Sequence, residues 1–145
     1  MAANTAPIFS IQGDQSVNDG TTMPSTFTTA AADYTGATAT HNKLVFTADA
    51  TNGGYIQRLR FKAIGTNTAS VARVFINNGS ANTTAANNTF YGEISLPATT
   101  AIATAATVEI DYMMNFALKA GFTIYVGLGT TVAAGWVCTA IGGQY

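Results

Sequence analysis

From Lys43 to Ile141 apolar and polar side chains alternate with a period of two, the pattern of strands that bury one face. Thr107 to Phe116 is the cleanest run, with Val108, Ile110, Tyr112, Met114 and Phe116 inward and Glu109, Asp111, Met113 and Asn115 outward. In Tyr55 to Ala63 strict alternation groups Tyr55, Gln57, Leu59, Phe61 and Ala63 on one face. It sets Ile56, Arg58, Arg60 and Lys62 on the other. Lys43–Ala48, Ser70–Asn77, Thr89–Leu96, Phe122–Leu128 and Trp136–Ile141 complete the set, with Pro97, Gly121, Gly129, Gly135 and Asn77-Asn78-Gly79 as punctuation. No segment carries a capped 3.6-residue period. The Ala-rich stretch Ala98–Ala106 is interrupted by threonines, has no apolar face and reads as a long loop. The pattern predicts an all-β fold: an antiparallel, jelly-roll-like β-sandwich of about seven or eight strands.

The first forty residues have another texture. They are rich in Thr, Ala, Ser and Gly, with one apolar patch at Ile8, Phe9 and Ile11 that reads as a first strand or a sticky arm. Between Gly13 and Thr40 the apolar residues thin out to Val17, Met23, Phe27 and Tyr34, so this stretch needs another surface to lie on. The chain is therefore divided into an extended N-terminal arm, 1–40, and a β-sandwich domain, 41–145.

Charge changes the picture most. Asp, Glu, Lys and Arg make up 9% of the 145 residues, against roughly 25% in a typical domain. Such a surface suits a protein covered by neighbours better than a free monomer. A net charge of −1 offers no basic stripe for nucleic acid. Arg58, Arg60 and Lys62 form either a solvated face or a cross-strand match for Glu93, or for Glu109 and Asp111. The N-terminus lacks a basic segment followed by an apolar run, so no secretory signal is read there, and no stretch is apolar for long enough to span a membrane.

Candidate chemistry is sparse. Nucleophilic catalysis needs a nucleophile beside an oriented base, and Cys138 with His41 is the one pairing available. Cys138 sits in a strand pattern, where a small buried thiol is the ordinary reading. Glu109 and Asp111 share a strand face, as solvated pairs commonly do. One histidine and one cysteine do not build a zinc site. Asp14, Asn18 and Asp19 in GDQSVNDG do not follow calcium-loop spacing and read as a polar turn. The Asn-X-Ser/Thr triplets at Asn78, Asn82 and Asn87 mark a wet loop. No catalytic residue, metal site or cofactor is assigned, and the chain is read as a non-enzyme. The outward Met113 is the residue-level sign of a subunit contact, where methionine is enriched.

The run Leu118-Lys119-Ala120-Gly121-Phe122-Thr123-Ile124-Tyr125-Val126, followed by GLGTT and the closing GWVCTAIGGQY, resembles the late strands of small jelly-roll and β-sandwich capsid decoration (cement) proteins of tailed bacteriophages. The resemblance extends over roughly the last ninety residues in low charge, Thr/Ala/Asn richness and Gly-punctuated strands. It implies a homotrimer on the capsid exterior that clamps the major capsid protein, made in the host cytoplasm. It also implies shell contacts from the N-terminal segment, which would fall to Ile8, Phe9 and Ile11. Two other readings share the fold. One is a carbohydrate-binding sandwich of a tail fibre or lectin, stacking sugars on Trp136, Tyr125, Tyr91 and Tyr55. The other is a single jelly-roll coat subunit.

Overall fold

The computed structural model describes residues 12–16, 26–31, 33–38 and 40–145. Among the described residues nine strand segments appear in chain order: β1 (Gln12–Ser16), β2 (Thr26–Phe27), β3 (Lys43–Thr47), β4 (Gly54–Ala63) and β5 (Ser70–Asn77), then β6 (Asn88–Leu96), β7 (Glu109–Leu118), β8 (Thr123–Leu128) and β9 (Trp136–Gln144). A 3-10 turn, Ala85–Asn87, closes the β5–β6 loop. Pro97–Val108 forms the long loop that its composition indicates, without a helix.

Pairing is nested around the β5–β6 loop. The hairpin β5·β6 is followed outward by β4·β7, β3·β8 and β1·β9, all antiparallel. Lateral contacts β4·β9 and β5·β8 then roll the long double ribbon into two sheets. One sheet runs β1-β9-β4-β7, with β2 also on β9, and the other runs β3-β8-β5-β6. This strand order is a jelly roll.

The inner faces meet in one core. Ile56, Leu59 and Phe61 of β4, Met114 and Leu118 of β7, and Trp136, Cys138 and Ala140 of β9 form one side. Phe46, Val74, Ile94, Leu96, Ile124, Val126 and Leu128 face them from the second sheet. Alternation along each strand places these residues inward, and their removal from water is the main force holding the sheets together.

Two expectations are corrected. On β4 the register shifts between Ile56 and Arg58 against both neighbours, and against β9, where these two face the consecutive Gly142 and Ile141, Gln57 is an extra, exposed residue. The bulge reverses the parity of the strand, and Ile56 is fully buried with Leu59 and Phe61 instead of lying beside the arginines. The GDQSVNDG stretch is not simply a polar turn, because Gln12–Ser16 is β1, paired with Gln144–Ala140. Within the first forty residues, Gln12–Ser16 and Thr26–Phe27 pair with β9 as β1 and β2. Ile8, Phe9 and Ile11 lie outside the described residues.

Candidate interaction surface

The outward side chains of β5 ought to meet water, yet Arg73, Phe75 and Asn77 are 8%, 1% and 0% exposed. Residues 30–31 and 33–38 lie over Arg73 and Phe75 as a strap across the outer face of the second sheet, while Asn77 is held by Asn88, Thr123 and Gly79. Ala31 donates its N–H to the Leu128 carbonyl, and Gly36 packs on the Phe75 ring. Arg73 holds the strap from beneath. Its guanidinium donates to the carbonyls of Ala31 and Asp33, pairs with Glu93 at 2.8 Å, and lies 4.0 Å from the centre of the Tyr34 ring. Asn88 Nδ2 ties the strap to β6 by donating to the Thr35 carbonyl.

The strap is shaped by Asp33. Its carboxylate accepts hydrogen bonds from the Thr38 and Thr35 hydroxyls and from the N–H groups of Thr35 and Gly36. These bonds, that from Thr38 foremost, hold its pKa below the usual carboxylate value despite partial burial.

The outer face of the other sheet carries the remaining paired charges. Arg60 makes a two-pronged contact with Asp111 at 2.8 and 2.9 Å and approaches Glu109 at 3.4 Å. Lys62 also approaches Glu109, and Arg58 approaches Asp111. Glu93 belongs to Arg73 alone among these cations. The Asp111 side-chain hydrogen bond with Arg60 lowers the carboxyl pKa and raises that of the guanidinium. Asp49 is satisfied locally by the amides of Thr51 and Asn52.

Large apolar side chains remain on the outside: Tyr34 at 55%, Phe90 at 39%, Tyr91 at 40% and Met113 at 52% exposed, with Ile64 and Ile102 in loops. Three of these, Tyr34, Phe90 and Tyr91, join the half-buried Phe116 and Tyr112 in a belt of five aromatics. Tyr34 meets Phe90 edge-on at 5.2 Å, and the next residue, Tyr91, meets Phe116 at 5.3 Å and Tyr112 at 6.3 Å. The belt crosses from the strap over the β6 edge to the β7 edge, closing one side of the sandwich. Nothing in the sequence order places Tyr34 beside Phe90. The strap's path over β5 and β6 brings these two together, and the nested pairing sets β6 beside β7.

The residues singled out for chemistry are dispersed. Cys138 is buried opposite Phe61, and burial pushes its thiol pKa well up, so it lacks the accessible thiolate a nucleophile requires. His41 is half-buried beside Lys43, Thr26, Thr28, Thr29 and Thr40, around a cleft of about 70 Å³. Trp136 is fully buried and forms part of the core, which removes it from any sugar-stacking platform. Among the described residues, no three His, Cys, Asp or Glu gather to hold a metal. Asn18 and Asp19 lie outside the described residues, and Asp14 is on β1. No protein family, curated protein or solved structure matches the chain.

Proposed function

We propose that this chain is a structural protein of a virus particle, a decoration protein that reinforces an icosahedral shell from outside by packing against its subunits. The observation that carries this reading is the surface. The ion pairs Arg73–Glu93 and Arg58/Arg60/Lys62–Glu109/Asp111 neutralise charge within the molecule, while Tyr34, Phe90, Tyr91, Met113, Ile64 and Ile102 stay exposed. Exposed apolar groups of this size mark contact surfaces. The jelly roll is also an architecture used in capsids and lectins, which supports the reading without distinguishing between them. Burial of Trp136 weakens the lectin alternative.

Co-sedimentation with capsids isolated from the particle that carries this chain tests the proposal. The protein is expected to pellet with shells, and raised salt is expected to change the bound fraction little, because exposed long-range charge contributes little to the contact. Failure to pellet, or release by modest salt, would contradict it. Closed particles forming from the purified protein alone would make it the coat subunit instead.

A further inference from the structure

The strand edges of β6 and β7 are free on the same side of the sandwich, since no strand among the described residues pairs with either outer edge. Both carry a bulge. On β6, Val74 pairs with Gly92 and Phe75 with Phe90, which leaves Tyr91 as the extra residue. On β7, Ile56 pairs with Phe116 and Arg58 with Met113, so Met114 and Asn115 face Gln57, and Asn115 adopts φ 53°. Bulges interrupt the flat ladder that a further strand needs and so guard an edge against open-ended sheet growth. What this side offers a partner is therefore its side chains, the belt of Tyr34, Phe90, Tyr91, Phe116 and Tyr112.

From this arrangement we infer that the belt is the contact through which copies of this chain bind one another, in a closed oligomer joined by side-chain packing and not by strand pairing. The inference rests on the reading of the chain as a packing module and names where its self-contact lies. Charge selects the occupant. The cations and carboxylates flanking the belt, Arg73 with Glu93 and Arg60 with Asp111, are already matched within the chain. A partner of ordinary composition, about one quarter charged, would leave its own charges desolvated against this surface without counter-charges to meet them. A copy of this chain, with 9% charged residues, does not bring that penalty. Symmetry adds to the case, because residues near a rotation axis meet their own copies, and uncharged aromatics do so without like-charge repulsion. Tyrosine and phenylalanine are also the side chains that interface cores favour.

The test is the mass of the full-length protein by sedimentation equilibrium over a concentration series, for wild type, Tyr91→Glu and Ile102→Glu. Ile102 lies on the loop joining the opposite ends of β6 and β7 and serves as the control. Wild type is expected to form one discrete oligomer. Tyr91→Glu, with unchanged far-ultraviolet circular dichroism, is expected to associate about 30-fold more weakly or worse, while Ile102→Glu keeps the wild-type mass. If Tyr91→Glu loses its fold, Tyr91→Ser decides in its place, with the same direction of change. A monomeric wild type overturns the inference. So does a folded Tyr91 variant of wild-type mass, or open-ended growth into fibres. Shell binding fails separately: a wild type that oligomerises through the belt but ignores shells sinks the decoration reading alone. A monomer that binds shells sinks the belt alone.

Discussion

Asp33 shows how one side chain organises a segment with few apolar residues of its own. Its carboxylate gathers the Thr35 and Gly36 amides and two threonine hydroxyls, and these bonds favour the ionised form. With the folded pKa depressed, the associated stability is present above the unfolded value, near 3.8, and is lost as pH falls through the lower folded value. Wild type is therefore expected to exceed Asp33→Asn in urea midpoint at neutral pH, with the gap closing below about pH 4. Parallel curves for the two proteins down to strong acid would contradict this role. Cys138 illustrates the opposite influence of burial, which keeps its thiol protonated. The strand pattern around Cys138 made its burial legible in the sequence. The Asp33 turn was not legible, because Asp-x-Thr-Gly is common in loops and its significance here comes from the sheet beneath.

At the scale of elements, the strap rests on Gly36, which has φ 71° and would place a Cβ 2.9 Å from the Phe75 ring. Gly121 has a similar φ of 74° with open space around it. Gly36→Ala is expected to cost about 1–3 kcal/mol in chemical denaturation, and Gly121→Ala less, the difference reporting the strap's contact with the sheet. Equal losses would show that the contact contributes nothing. Most strands were legible from alternation, including β7, where Met113 falls outward and Met114 inward. The error on β4 is instructive: alternation counts residues, and a bulge adds one without any marker in the sequence at Gln57. β1 was missed because QGDQS lacks the β-branched and aromatic residues that signal a strand, and its pairing with β9 comes from topology. The burial of Phe75 was hidden for a similar reason. One face of a strand was expected to meet solvent, and a segment some forty positions earlier covers it.

For the whole molecule, the nested ribbon converts a chain with little charge into a sandwich in which Arg58, Arg60, Lys62 and Arg73 meet carboxylates within the chain and five aromatics collect along one side. Low charge was legible from composition, and it pointed to covered surfaces. The position of those surfaces was not, since Tyr34 and Phe90, like Tyr91 and Phe116, are apart in the chain and meet only in the fold. A protein that binds an assembled shell, and not its separated subunits, must stabilise the shell by mass action, increasingly so as its concentration rises above the dissociation constant. The direct measurement is the temperature at which isolated shells lose integrity, followed by light scattering with increasing amounts of this protein. The account predicts an upward shift that continues to grow with the logarithm of protein concentration beyond saturation of the sites. An unchanged or lowered temperature at concentrations where the protein remains folded would contradict it.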